Sequence, residues 1–332
     1  MPIKVLHVGL GPIGAGVVRQ VAGRKGLVIV GAVDTDPKKA GLDLGEVCGA
    51  SRKLRIKVTS DLAKTIKATK PDVAVLCTSS SLKKVVPEFE AVLKHKVPIV
   101  STTEELAYPV KSNAAAARRI DMLAKRARVA VLGTGVNPGF VMDALPIALT
   151  GVCERVTAIE VDRVQDARIR RLPFQMKIGA ALTREEFMEK VRDGSVRHVG
   201  LAESITMIAD ALGWKLDKVT DEIGPQMAAV AVSSEFLTVE AGRVCGIVQD
   251  GVGYRKGQPI IKLHMEAYLG APESYDAVRV TGNPPLSMKL AGGVHGDVAT
   301  ASIVVNSIPK VIQAAPGLRT MKDMALPSYF GG

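Results

Sequence analysis

Two acidic residues stand side by side in the run Ser101-Thr102-Thr103-Glu104-Glu105-Leu106-Ala107-Tyr108-Pro109. Adjacent carboxylates repel each other and burial disfavours their charge, so one of such a pair is suited to take up and return a proton near neutral pH. A competing reading makes Glu104 and Glu105 the acidic first turn of a helix, complementing its dipole. A second stretch bears on what a proton-transfer group would serve. Gly9-Leu10-Gly11-Pro12-Ile13-Gly14 follows the apolar run Ile3–Val8 and opens the apolar-periodic segment Ile13–Val21. In a strand–turn–helix of this kind the first glycine makes the tight turn and the second lets backbone approach a pyrophosphate. The third lets helix pack on strand. Beyond Pro12 and Ile13 the helix N-terminus turns unpaired N–H groups and a positive dipole end toward the phosphates. Asp34 ends the next apolar run, Leu27–Val33, about 20 residues past Gly14, where a ribose-binding acid belongs. Strand, turn, helix and acid in register imply a dinucleotide, NAD or NADP.

The elements that must position these groups follow from periodicity. Asp34 would accept from the ribose hydroxyls and repel a 2′-phosphate, which favours NAD. Lys38 and Lys39, after Thr35-Asp36-Pro37, are either solvated or partners for such a phosphate, which leaves NADP open. Further strands are predicted at Ile56–Val58, Asp72–Cys77, Val97–Val100 and Val129–Leu132, with helices over Asp61–Thr69 and Ser112–Arg128. Thr78-Ser79-Ser80-Ser81 sits at a strand's carboxyl end, where ligands bind in open α/β sheets. The same hydroxyls can instead cap the next helix, whose apolar positions Leu82, Val85, Val86, Phe89 and Leu93 share a face. Thr102 and the loop Gly133-Thr134-Gly135-Val136-Asn137-Pro138-Gly139 occupy equivalent strand ends, and Asn137 offers an amide to substrate or nicotinamide. Asn-Pro-Gly is also ordinary turn chemistry. Six strands alternating with helices predict an α/β domain over residues 1–141, a Rossmann doubly wound parallel sheet.

From Met142 the pattern changes. A helix to Leu149 and a strand over Val156–Val164 lead into a basic, non-periodic stretch with Arg163, Arg168, Arg170, Arg171 and Lys177. This stretch is open to three uses: a substrate carboxylate, the cofactor, or a subunit interface. Thr183-Arg184-Glu185-Glu186 is a capping box, and Leu201, Ile205, Ile208 and Leu212 mark the buried face of a further helix. His198 opens that helix, as a cap, a core residue or a neutral imidazole lining the substrate site; His295 reads as a loop residue. Residues from Leu216 to Val280 are strand-like, so residues 142–298 are expected to form a second α+β domain, for substrate and dimerisation, on a mostly antiparallel sheet. Residues 299–332 supply a helix, Ala299–Ala314, and a tail that pack back on the first domain.

Composition narrows the partners. The formal charge is +11, but aromatics are 4% and the basic residues form no stripe, so nucleic acid is not expected and a field attracting an anionic dinucleotide is. No apolar run reaches the ~20 residues a membrane span needs. Four dispersed cysteines and five dispersed histidines give no metal-ligand spacing and point to a reducing, cytoplasmic compartment.

The chain resembles the 2,4-diaminopentanoate dehydrogenases and the related native amine dehydrogenases. The resemblance is carried by the glycine turn, segment 101–109, Leu-Gly-Thr-Gly-Val-Asn-Pro-Gly at 132–139 and His-Val-Gly-Leu-Ala-Glu-Ser-Ile at 198–205. It continues through Met207–Leu216, Ile308-Pro309 and Pro316-Gly317-Leu318, and so covers nearly the whole chain. It implies NAD(P)-dependent oxidative deamination of an amine to a ketone, and the reverse reductive amination with ammonia, with Glu104 or Glu105 as the base. It further implies that Gly9, Gly11, Pro12, Ile13, Gly14, Asp34, Thr78, Ser79, Ser80, Thr102 and Asn137 hold the cofactor. Asn137, Phe140, Phe174 and His198 would meet a small amine or ketone, 2,4-diaminopentanoate-like or simple alkyl. A homodimer follows by analogy. Where the diaminopentanoate enzymes carry a Ser-Pro-Phe-rich stretch, this chain has Arg170–Gly179, closer to the amine dehydrogenase branch. Two alternatives are a C=N reductase of dihydrodipicolinate type, whose double-histidine segment is missing, and a nucleotide-sensing protein without catalysis.

Overall fold

Val, Ile and Leu fill the N-terminal apolar runs without alternation, as strands covered on both faces require. In a computed structural model, which describes residues 1–109, 113–196 and 198–331, the chain divides into two compact units. The first comprises Met1–Phe140 and His295–Gly332, the second Val141–Val294. In the first unit the order is β1 (Ile3–Val8), α1 (Pro12–Gly23), β2 (Leu27–Val33), α2 (Leu44–Val47), β3 (Val58–Thr59) and α3 (Leu62–Thr69). It continues with β4 (Val73–Leu76), α4 (Leu82–Leu93), β5 (Ile99–Ser101), α5 (Glu104–Ala107), α6 (Ala114–Ala127) and β6 (Ala130–Gly133). The helix expected from Ser112 begins at Ala114; Ser112 itself lies outside the described residues.

In the second unit α7 (Ala144–Leu149) precedes β7 (Arg155–Asp166), α8 (Leu172–Lys177), α9 (Arg184–Arg192) and α10 (Leu201–Ala211). Next come β8 (Lys218–Met227), β9 (Val232–Ser233), β10 (Thr238–Val239), β11 (Val244–Arg255), β12 (Gln258–Tyr268), β13 (Tyr275–Asn283) and β14 (Leu286–Ala291). The chain then returns to the first unit with α11 (Gly296–Gln313) and β15 (Gly317–Arg319).

The first unit's sheet is parallel in the order β15-β6-β5-β4-β1-β2-β3. Connections leave β1 toward β2 on one side and β4 toward β5 on the other. The carboxyl ends of β1 and β4 therefore form the switch point where such sheets take ligands. Leu6, Leu76, Phe89, Ile99 and Ile120 are fully buried in its core, and α11 packs on α1. The alternation predicted six strands; the sheet has a seventh, β15, three residues long and too short to show a period. The second unit's sheet runs β14-β13-β7-β12-β11-β8, antiparallel except for the β7–β12 pair.

Local chemistry explains two departures from expectation. The basic stretch read as non-periodic contains α8, organised by the fully buried Gln175. Its Nε2 donates to the carbonyls of Ala167 (3.0 Å) and Arg170 (2.8 Å), and its Oε1 accepts from Ser234 Oγ (2.8 Å). His295, expected in a loop, ends that loop as the N-cap of α11, with Nδ1 accepting from the Val298 N–H. The Thr183–Glu186 capping box at α9 forms as its sequence predicts.

Candidate active site

The turn after β1 has the backbone its glycines demand. Gly9 has φ +88°, and a Cβ there would lie 2.5 Å from the Cys77 carbonyl oxygen and 2.8 Å from Thr78 Cγ2. A Cβ on Gly14 would collide with the Gly9 carbonyl, so helix and turn meet only without side chains. A Cβ on Gly11 would meet only open space, which is the face left for a pyrophosphate to approach. Pro12 opens α1, where its missing N–H costs nothing. These features fit a dinucleotide.

His7, a polar residue inside the apolar run of β1, supports the turn from below and was not a sequence-derived candidate. It is 1% exposed, and its Nε2 donates to the Gly9 carbonyl (3.1 Å). Burial lowers its pKa to about 4 against the opposing Gly9 bond and the nearby Asp34 charge, so the imidazole is neutral.

Asp34 follows β2 and is held on both oxygens. Oδ2 accepts from the Leu10 N–H (2.7 Å) and from Lys39 Nζ (3.0 Å), and Oδ1 accepts from the Asp36 N–H (2.9 Å). Burial raises its pKa, but the Asp36 and Leu10 amides and Lys39 together outweigh it, leaving the carboxyl below its ordinary value. Lys39 is thus no solvated lysine, whereas Lys38 is exposed.

The other candidates of this unit stand after neighbouring parallel strands: Thr78, Ser79 and Ser80 after β4, Thr102 after β5, Asn137 and Phe140 after β6. Thr78 Oγ1 donates to Glu88 Oε2 (2.6 Å), and Ser79 Oγ accepts from the Ser81 N–H (3.2 Å). Ser81 occupies the N-cap of α4 but its side chain does not cap it. That role falls to Glu105, whose Oε2 accepts from the Leu82 N–H (2.8 Å), while the Glu105 N–H donates to the Ser80 carbonyl (3.2 Å). Both glutamates lie half-buried in α5, and the Leu82 bond engages Glu105 only.

Phe174 and His198 belong to the second unit. Arg170 lies over the Phe174 ring, 3.9 Å from its centroid. His198 precedes α10 without capping it, since Gly200, at φ +136°, takes the N-cap position. Beside it, Gln249 Nε2 donates to Asp221 Oδ1 (2.6 Å) and to the His198 carbonyl (3.2 Å). The His198 Nδ1 is buried, and burial lowers its pKa to about 3, with Lys177 and Arg163 opposing protonation and Gln249 favouring it. Of the basic stretch, Arg163 is spent on Asp276 (2.5 Å) and Arg168 on Asp166 (2.7 Å). Gln249 and Asp221 carried no sequence signal, because they meet only through strand pairing.

The 2,4-diaminopentanoate dehydrogenase C-terminal domain profile matches residues 140–332, and the dihydrodipicolinate reductase N-terminal profile matches residues 3–131. The chain is 35% identical to 2,4-diaminopentanoate dehydrogenase of Acetoanaerobium sticklandii, over 99% of its own length and 95% of that protein's. The chain belongs to the 2,4-diaminopentanoate dehydrogenase family. It is also 21% identical to the amine dehydrogenase of Streptomyces virginiae, over 97% of this chain and 96% of that one. The solved amine dehydrogenase from Mycobacterium smegmatis superposes with a TM-score of 0.88 at 24% identity, covering 100% of this chain and 98% of the other. The family member described here is an NAD(P)-dependent oxidoreductase acting on amines. Its N-terminal part matches the profile of the reductase type considered above, and its C-terminal part matches that of the 2,4-diaminopentanoate dehydrogenases.

Proposed function

We propose that Glu104 is the proton-transfer residue of a reversible oxidative deamination, and that Glu105 positions it. The carrying observation is the division of labour on α5. Glu105 serves the first turn of α4 through Leu82, an N-terminal role that a carboxylate fills best while charged and immobile. Glu104 lies on the same short helix at the strand's carboxyl edge, with its Oε2 buried.

When bound, the nicotinamide would supply the two-electron acceptor for a hydride from the substrate carbon. Loss of that hydride leaves an iminium, to which water adds. Glu104 takes a proton from the amine or from attacking water and returns it to the departing nitrogen, so that ammonium and a ketone leave. Gly9, Gly11, Pro12, Ile13 and Gly14 would receive the pyrophosphate, Asp34 the ribose, and Thr78, Ser79, Ser80, Thr102 and Asn137 the remainder of the cofactor. In the first unit Asn137 and Phe140, and in the second Phe174 and His198, are the residues proposed to contact the amine, of 2,4-diaminopentanoate-like or simple alkyl type. A neutral His198 can accept a hydrogen bond from an ammonium group, which supports its place in that set.

The protein is further proposed to act as a cytoplasmic homodimer. Its four cysteines are free thiols, which suits a reducing compartment. No helix among the described residues is long and apolar enough to cross a membrane.

The test is NAD(P)H oxidation by the purified protein with a ketone panel, with and without ammonium. Ammonia-dependent oxidation is expected with at least one small ketone or keto acid. Activity indifferent to ammonia would replace the amine reading with that of a carbonyl or C=N reductase.

A further inference from the structure

We propose that Lys39 sets the choice between NAD and NADP, by competing with the ribose for Asp34 and by pairing with a 2′-phosphate when one is present. The inference rests on the dinucleotide assignment and deepens it at the adenosine end.

An ionised carboxylate offers about four acceptor positions. Three of Asp34's are used, by Leu10 N–H, Asp36 N–H and Lys39 Nζ. Gripping both ribose hydroxyls needs two positions, so one bond must be released. The two backbone donors are fixed by the glycine turn and by the turn after β2. Lys39 is the donor that can leave, because its ammonium ends a flexible four-carbon stem at a partly exposed edge. Its second bond, to the Leu10 carbonyl (3.3 Å), holds it beside the glycine turn.

The same geometry decides how a 2′-phosphate fares. Alone, a buried carboxylate at the ribose repels it. Here the carboxylate carries its own counter-ion, and the ammonium released from Asp34 stays within reach of a 2′-substituent. Other cations of this corner are differently placed. Arg19 Nη1 is bound to the Cys48 carbonyl (2.6 Å), and the Lys38 side chain is exposed while its backbone N–H serves Asp36 (3.0 Å). Lys39 is therefore a specificity device that allows both cofactors.

The experiment is calorimetric titration of the full chain with 5′-AMP and with 2′,5′-ADP, which report the adenosine end without any turnover. The unmodified protein should bind both, with affinities within about tenfold. Lys39→Met should weaken 2′,5′-ADP by about 10- to 100-fold, the range of one charge-assisted hydrogen bond, and leave 5′-AMP unchanged or tighter. Asp34→Ala should act in reverse, weakening 5′-AMP and tightening 2′,5′-ADP, and Lys38→Met should leave the ratio alone. An unchanged ratio in Lys39→Met overturns the proposal. So does an equal loss in Lys38→Met, which would make net charge the cause, and so does an unmodified protein that binds 5′-AMP but not 2′,5′-ADP. If neither fragment binds the unmodified protein, the dinucleotide assignment itself falls.

Discussion

The two units hold their polar groups in different ways. Around the glycine turn the bonds run mostly between a side chain and backbone: Asp34 with Leu10 and Asp36, Glu105 with Leu82, His7 with Gly9. In the second unit the same kind of bond is joined by pairs of side chains brought together by the fold: Arg163 with Asp276, Gln249 with Asp221, Ser204 with Asp143, Ser234 with Gln175. A group that needs only backbone amides tolerates exchange for another acceptor of the same shape. A group that needs one particular partner does not. The first arrangement suits a cofactor common to many reactions, and the second suits a site shaped to one substrate.

The largest effect should come from the one carboxylate in the first unit whose proposed role is proton transfer. Glu104→Gln is expected to lower turnover about 10³-fold, within the range of general acid–base catalysis, with NAD(P)H binding retained. Glu105→Gln keeps an amide oxygen for the Leu82 N–H and should retain most activity. Glu105→Ala removes the acceptor and should cost about 1 kcal/mol of stability, as the loss of a helix cap does. Steady-state rates with separate cofactor titrations decide the matter. Lost turnover in Glu105→Gln with an active Glu104→Gln would reverse the assignment.

Next comes the buried ion pair of the second unit. Arg163 and Asp276 are 3% and 1% exposed, and between them they also hold both polar groups of the Val294 backbone. Arg163→Met strands a buried carboxylate and should destabilise by about 3–5 kcal/mol. Adding Asp276→Leu should recover part of that loss, and a double-mutant cycle in urea measures how much. The counterpart in the first unit is Asp34→Asn, whose single amide oxygen can accept from only one of the two backbone donors, Leu10 and Asp36, and which should cost about 1–2 kcal/mol. Equal losses in the two units would erase the contrast.

The same contrast explains what could be read from the sequence. The glycine turn, Asp34, the strand-end hydroxyls and the glutamate pair lie close to strand ends that periodicity reveals, so their placement in one unit was legible. The parallel sheet with its helices and the capping box of α9 were legible for the same reason. The bond that distinguishes Glu105 from Glu104 was not, because it is made to Leu82, 23 residues before Glu105 along the chain. Lys39 was visible only as a lysine near Asp34, since spacing does not say where a flexible side chain rests. Gln249, Asp221 and Asp276 could not be found, as their partners are set by strand register. β15 and α8 were too short to carry a period.

The last contrast compares one histidine from each unit. His7 and His198 are both kept neutral by burial, at about 4 and about 3. In the unfolded chain each titrates near 6.5. Below that value the unfolded state binds a proton that the folded state refuses. Their contribution to stability is therefore present above pH 6.5 and is lost as pH falls toward the folded values. Within that window a single such group steepens the loss by about 1.4 kcal/mol per pH unit. His7→Gln, which can still donate to the Gly9 carbonyl, should flatten the fall in melting temperature between pH 6.5 and 4.5. His198→Gln should flatten it too, because no described bond requires a charged imidazole there. His264 has the opposite sign: burial lowers its pKa, but Asp250 and Glu266 outweigh that and raise it. Its contribution is present below 6.5 and fades as pH rises through its raised value. His264→Gln should thus weaken the protein at pH 5 and leave it nearly unchanged at pH 9. Parallel profiles for all three variants would mean that carboxylates, not histidines, set the acid limb.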